Sequence, residues 1–189
     1  WSSAMFLDSN EMAFDYTKYY KLYELFNKNP KNIFVIGGAA YSIPKAILSE
    51  SQEANVLVSE IEPEYYDLAK KYFNLKDDPR LQNFIEDGRR LLAKNENQYD
   101  AIISDVYYSI FSMPIHFTTK EFFLLSKRHL LESWVFIGNF AGSLDPKKES
   151  FILSEIKTFK EVFPNSYFFA VNNADSSVPQ NIIFLGINS

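Results

Sequence analysis

No cysteine occurs in the 189 residues, which excludes disulfides, thiolate zinc sites and cysteine nucleophiles. That absence fits a reducing compartment, and a cytoplasmic setting is the expectation. Histidine is nearly as scarce. His116 and His129 are the two present, neither has a second ligand at metal spacing, and no metal is expected. No G-x-S-x-G elbow is found, which argues against a serine hydrolase. No apolar run reaches the roughly 18–20 residues of a membrane span, so none is expected within this chain. The opening WSSAMFLDSN lacks a basic stretch followed by an apolar one and does not read as a signal peptide. It begins with Trp1 rather than Met, as expected of a chain cut from something longer. With a net charge of −5 and basic residues only in isolated pairs such as Lys70–Lys71 and Arg89–Arg90, no nucleic-acid partner is expected.

What the chain does have is aromatic bulk, with 18 Phe and 12 Tyr, most of it explained by core filling. Seven strand-like runs recur: Asn32–Gly37, Asn55–Ile61, Leu81–Glu86, Tyr99–Val106, Ser133–Phe140, Ser166–Asn172 and Asn181–Ile187. Most are continuous apolar runs, the pattern of strands buried on both faces. Helical periodicity separates the first five. Pro63–Phe73 carries Tyr66, Leu68, Ala69, Tyr72 and Phe73 largely on one side, and Thr119–Leu131 and Lys147–Phe163 are amphipathic. Strands alternating with helices predict a parallel sheet covered on both faces. The last two runs are joined by NNADSSVPQ, too short for a crossover helix, and are expected to pair antiparallel. The layout is that of an α/β, Rossmann-like methyltransferase sheet of seven strands. Residues 1–30 form an N-terminal extension, with a short strand at Ala4–Leu7 and a helix at Tyr16–Phe26, and 31–189 form one domain.

In such a sheet, ligands bind at the carboxyl ends of the strands where the strand order reverses. The first strand ends in Gly37-Gly38-Ala39-Ala40, small residues ahead of a helix starting near Ser42–Pro44 whose first amides are free. The second ends in Glu60, 23 positions after Gly37, near the spacing at which a carboxylate accepts ribose hydroxyls. The third ends in Glu86-Asp87-Gly88 and the fourth in Ser104-Asp105. Asp87 alone also reads as an N-cap. Three acidic strand ends around a small-residue loop go beyond capping and favour a nucleoside-type ligand. His129, late in a helix, reads as structural. His116, in SMPIHFTTK, faces either a substrate or solvent. Tyr19, Tyr20 and Tyr23 lie at helical spacing and read as packing rather than a stacking platform.

These residues in this order resemble the spermidine synthase family, the polyamine aminopropyltransferases. The resemblance runs through FDYTKYYKLYELF, IGGAA, VSEIEPEYYDLAKKYF, DDPRLQNFIEDGRRLL, YDAIISD and FTTKEFFLLSKRHL, and so covers most of the chain. It implies a nucleoside-binding catalytic domain over 31–189. Gly37 and Gly38 would pass close to the sulfonium side of the ligand. Glu60 would hold the ribose hydroxyls, Ile61 would lie against the adenine, and Asp87 would take the adenine amino group, with Gly88 offering its backbone. Asp105 would orient the attacking amine and assist loss of its proton. Tyr16, Tyr108 and His116 would face the substrate, under a gatekeeper loop at 106–118. A homodimer is implied too.

The departures fall on one half of the site. Ala40 stands where the family has Asp in its glycine loop, Tyr108 where it has the second Asp of D-S-S-D, and Thr17 where it has glutamine. The Y-P-S-G-x-x-G-F stretch is reduced to SSVPQNIIFLG. A dication needs carboxylates to replace its hydration, so the polyamine half reads as stripped while the nucleoside half reads as intact. The resemblance implies aminopropyl transfer from decarboxylated S-adenosylmethionine to a small amine. The shared sheet leaves open an S-adenosylmethionine-dependent methyltransferase, and a non-catalytic nucleoside-binding module also remains.

Overall fold

The computed structural model describes residues 3–6, 8–26, 28–107, 113–147 and 151–189. Seven strands form one sheet: β1 (Asn32–Ile36), β2 (Asn55–Glu60), β3 (Leu81–Ile85), β4 (Tyr99–Ser104), β5 (Leu130–Gly142), β6 (Ser166–Ala170) and β7 (Gln180–Ile187). Their order is β3-β2-β1-β4-β5-β7-β6. The first five are parallel, β7 runs antiparallel to β5, and β6 runs antiparallel to β7. The expected mostly parallel sheet with an antiparallel C-terminal hairpin is therefore present. The order reverses between β1 and β4, where Ile36 sits opposite Ser104, and a crevice opens there at the carboxyl ends.

Alternation within the strands sorts the core into two layers. Ile33 and Val35 of β1 join one cluster with α2 (Ser42–Glu50), while Phe34 and Ile36 join the other. That second layer holds α4 (Gly88–Lys94), α5 (Lys120–Arg128) and α6 (Ile152–Val162). It is where the phenylalanines collect. Phe140 stacks on Phe184 at 4.0 Å, and Phe123 meets Phe159 edge-on at 5.0 Å. Expected core filling accounts for these rings. Arg80 of the D-P-R run pairs with Asp78 at 2.7 Å and donates to the carbonyls of Ser51 and Leu48. It thus ties the end of α2 to the start of β3.

Several expected elements are corrected. The stretch Tyr16–Phe26 is not one helix: α1 covers Asp15–Lys18, and a 3-10 helix runs from Tyr19 to Leu25. Three residues per turn put Tyr20 and Tyr23 on one side, and both are buried in the first layer. The Ala4–Leu7 strand reduces to a single bridge between Met5 and Met12, and Leu7 lies outside the described residues. Helix α3 (Tyr65–Tyr72) starts after Pro63, and its predicted apolar side is not a buried stripe. Ala69 is its one buried residue, and Tyr72 is 58% exposed. The cause is position, since α3 follows β2 and precedes β3, which is the sheet edge and is itself largely exposed. Leu130 and Leu131 belong to β5 rather than to the end of α5, and Ser133 within that strand has a left-handed φ of 67°. The third predicted helix is described from Ile152, its residues 148–150 lying outside the described ones.

Candidate functional site

The loop after β1 turns sharply. Gly37, Ala39 and Tyr41 have φ of 91°, 45° and 57°, all in the left-handed region that non-glycine residues adopt only against a steric cost. A Cβ on Gly37 would lie 2.3 Å from the carbonyl oxygen of Asp105, so this glycine is demanded by the chain itself. Two contacts pay for Ala39 and Tyr41. The Tyr41 ring is fully buried and its hydroxyl donates to Asn83. Glu60 Oε2 accepts from the amides of Gly38 and Ala39, each at 2.8 Å, and Oε1 accepts from the amide of Glu62 at 2.9 Å.

Glu60 is thus a loop clamp in its own right, 7% exposed. A carboxylate offers about four lone-pair sites, so one remains unused after these three bonds, and Glu60 lines the larger of the site's two cavities. Asp87 is similarly committed. Its Oδ1 caps α4 by accepting from the amide of Arg90 at 2.9 Å, so the capping reading holds. Its Oδ2 lies 2.8 Å from Nε2 of His116, which therefore carries the proton. Arg89 donates to the His116 carbonyl at 2.8 Å and to the Thr119 hydroxyl at 3.1 Å. His116 is thus tied to Asp87 and Arg89 at the N-terminal end of α4, with its side chain still partly exposed at the larger cavity.

Asp105 follows β4 and stands between two cavities. The larger, about 200 Å³, is lined by Gly37, Glu60, Ile61, Asp87, Gly88 and His116 along with Asp105 itself. Its rim carries Ile61 with 55% of its surface exposed, an apolar face that a planar base would cover. The smaller, about 40 Å³, joins Gly37, Gly38, Ala40 and Asp105 to Tyr16 and Thr17 of the N-terminal segment. The predicted residues are therefore brought together, on two sides of one carboxylate. Tyr108 and the rest of 108–112 in the 106–118 loop lie outside the described residues.

The Asp105 carboxyl touches both cavities yet is closely enclosed by protein. Oδ1 accepts from Asn139 Nδ2 at 3.2 Å, Oδ2 accepts a longer bond from the Tyr16 hydroxyl at 3.4 Å, and Asn139 Oδ1 accepts from Asn181 Nδ2 at 3.0 Å. Burial pushes the Asp105 carboxyl above the ordinary carboxylate range, against the pull of its hydrogen bonds. Burial and the Asp105 charge together push the phenols of Tyr16, Tyr20 and Tyr107 well up, so all three stay protonated donors. The Tyr107 hydroxyl feels that charge but is buried without a hydrogen-bond partner among the described residues, while the Tyr20 hydroxyl lies close against the Asp105 carboxylate.

Sequence reasoning missed Asn139, Asn181, Tyr107 and the polar part of Tyr20. Asn139 had a signal, because a polar residue interrupts the apolar run VFIGNF and is 1% exposed. Asn181 and Tyr107 had none short of the pairing of β5 with β7. Among the described residues no group of three or more His, Cys, Asp or Glu is arranged to hold a metal ion, and no helix is long and apolar enough to cross a membrane.

The family model for the spermine/spermidine synthase domain matches residues 20–180. Among curated proteins, the polyamine aminopropyltransferase of Bacillus subtilis is 26% identical over 149 residues, covering 76% of this chain and 52% of its own length. The chain spans about half the length of the curated relatives it matches. Among solved structures, a probable spermidine synthase from Corynebacterium glutamicum superposes with a TM-score of 0.82 at 21% identity, over 95% of this chain and 66% of that one. Human methyltransferase-like protein 13, solved with SAH, superposes with a TM-score of 0.72 at 23% identity, over 87% of this chain and 74% of that one. The expected fold is borne out in both.

Proposed function

The chain belongs to the spermine/spermidine synthase domain family, and on that premise we propose that it transfers an aminopropyl group from decarboxylated S-adenosylmethionine to a small amine. The observation that carries this reading is Asp105, held by Asn139 and Tyr16 where the two cavities meet. The larger cavity takes the nucleoside: Ile61 against the base, Asp87 toward its amino group and Gly88 beside it, with the open site of Glu60 toward the ribose. Gly37 and Gly38 give the sulfonium its passage between the cavities. Residues 31–189 carry these groups, and the 1–30 extension contributes Tyr16 to the acceptor side.

The chemistry asks little more of the protein than position. The acceptor nitrogen attacks the carbon bound to the positive sulfur, the new N–C bond forms, and the C–S bonding pair stays on sulfur as a neutral thioether. The nitrogen's surplus proton passes to the Asp105 carboxylate. A sulfonium is already a good leaving group, so alignment and one well-placed acceptor suffice. Burial favours proton uptake at Asp105, while Asn139 keeps one oxygen oriented. The names of the curated relatives favour this reaction over methyl transfer and over a non-catalytic role. Tyr108 and His116 are both retained as substrate-facing residues on the family resemblance, and the Asp87 contact would hold the His116 ring at the cavity wall. We further propose a cytoplasmic homodimer without a metal, on the absence of cysteine and on the same resemblance.

The deciding experiment incubates the protein with 1,4-diaminobutane and either decarboxylated S-adenosylmethionine or S-adenosylmethionine, and reads products by mass spectrometry. A mass gain of one aminopropyl group is expected with the decarboxylated donor alone. A methylated product would move the assignment to methyl transfer, and no product with either donor would overturn it.

A further inference from the structure

Asn139 and Asn181 interrupt apolar runs on neighbouring strands, and side-chain alternation puts both on one face. Val135, Ile137 and Asn139 of β5 share a parity, as do Leu185, Ile183 and Asn181 of β7, and the four apolar residues belong to the first core layer. Ala101 and Ile103 of β4 reach the same layer. Asp105, whose amide still bonds to the Ile36 carbonyl at 2.9 Å, continues their alternation. Ser104 pairs with Gly138 and Asn139 with Ile183, so Asn181 is the diagonal neighbour of Asn139. The acid and the two amides thus lie in a row across β4, β5 and β7.

The direction of the bonds along this row follows from its end. An ionised carboxylate can only accept, so Asn139 turns Nδ2 to Asp105 Oδ1 at 3.2 Å, and its own Oδ1 accepts from Asn181 Nδ2 at 3.0 Å. Asn181 is held by the sheet on both sides. It pairs with Ala141 of β5, and its carbonyl accepts from the Val171 amide at 3.1 Å. A neutral carboxyl would reverse the preference of Asn139, because its O–H would donate to an overturned amide oxygen. In that orientation Nδ2 of Asn139 would face Nδ2 of Asn181, donor against donor. Asn181 therefore penalises the one arrangement that favours the protonated acid.

We propose that Asn181 is a positioning residue for Asp105, holding the Asn139 amide as a donor whether or not the carboxyl carries a proton. Its bearing on rate rests on the aminopropyl-transfer reading. An amide locked as a donor stabilises the ionised acid, the form that accepts the nitrogen's proton, and so opposes the burial that pushes the same carboxyl up. The titratable groups facing Asp105 are the phenols of Tyr16 on α1, Tyr20 on the 3-10 helix and Tyr107 beyond β4, and burial keeps all three protonated. Glu60 and Glu62 after β2, Glu86 and Asp87 after β3, and His116 line the larger cavity with Asp105. All of these are common to wild type and variant, so a comparison at position 181 isolates the amide.

The test is a carbon-13 NMR titration of the Asp105 carboxyl in the whole chain, its signal identified by its loss in Asp105→Asn. In Asn181→Leu the carboxyl should titrate about one pH unit higher than in wild type, roughly a tenfold gain in proton affinity. Asn181→Gln, which keeps the donor, should recover part of that change. In an Asn139→Ala background Asn181→Leu should add nothing, since the link is already cut. A wild-type titration in Asn181→Leu overturns the proposal, and so does a change that persists without Asn139. The acid limb of the kcat/KM profile should move upward with the carboxyl. A titration change without any aminopropyl product sustains the positioning and removes the reaction, whereas product from a wild type whose Asp105 is indifferent to Asn181 does the reverse.

Discussion

The two ends of the site treat their polar groups in opposite ways. At the nucleoside end, Glu60 and Asp87 spend most of their capacity inside the chain, on loop amides, a helix N-terminus and His116. At the other end, the Tyr107 hydroxyl is buried without a hydrogen-bond partner among the described residues, Glu155 of α6 is half-buried without one, and Asp105 is supported by Asn139 and Tyr16 with the Tyr20 hydroxyl close against it. A site that completes itself is preorganised and contributes to stability even when empty. Polar groups enclosed without partners are held at a cost. Removing a group should therefore destabilise the fold at the first end and relieve it at the second.

The largest expected effect would come from the residue shared by both ends. Asp105→Asn should lower turnover by about 10²–10⁴-fold while leaving methylthioadenosine affinity near that of wild type. Steady-state kinetics beside calorimetric binding would check this, and unchanged turnover would remove Asp105 from the mechanism. Next comes Glu60→Ala, which leaves three amides without their acceptor and the left-handed Ala39 without its clamp. It should cost about 2–4 kcal/mol of stability in chemical denaturation as well as nucleoside affinity. A loss of affinity with stability intact would make Glu60 a ligand contact only, and the contrast between the two ends would fail there.

Glu155 sharpens the contrast in the opposite direction. The folded chain keeps its proton up to about pH 7, whereas the unfolded chain releases it near 4.5, so wild type loses stability as pH rises through that window. Glu155→Gln cannot lose it. The variant should match wild type at pH 4 and exceed it by about 1–3 kcal/mol at pH 8, read as a gap in Tm that opens with pH. A pH-independent gap would show that Glu155 is not an unpaired buried acid. The smallest effect is expected for Asp87→Asn. Asparagine caps a helix about as well as aspartate, so stability should stay within roughly 0.5 kcal/mol, and the weakened His116 contact should show as faster amide exchange over residues 113–118.

Much of the frame was legible because strand burial is written in composition. Runs such as NIFVI and YDAIIS predict buried parallel strands, and the short NNADSSVPQ connection predicts the reversal at β6 and β7. Edges were less legible. The apolar side of α3 has helical spacing, yet the sequence carries no mark that its neighbour is the last strand of the sheet. The tyrosine-rich stretch before β1 also read as an ordinary helix, because periodicities of 3.0 and 3.6 barely diverge within two turns.

The sequence by itself determined the sheet, its antiparallel end and the acidic groups at the tips of β2, β3 and β4. Burial of alternating or continuous apolar residues and the reach of short connections are local properties that any reader of the chain can count. Only the tertiary structure decided what those acids do, and which other residues join them. Hydrogen-bond capacity is spent on whatever lies within about 3 Å in space. Glu60 therefore meets an amide 22 residues away, Asp105 meets Asn139 across the sheet, and α6 brings the Glu155 charge to bear on Tyr107.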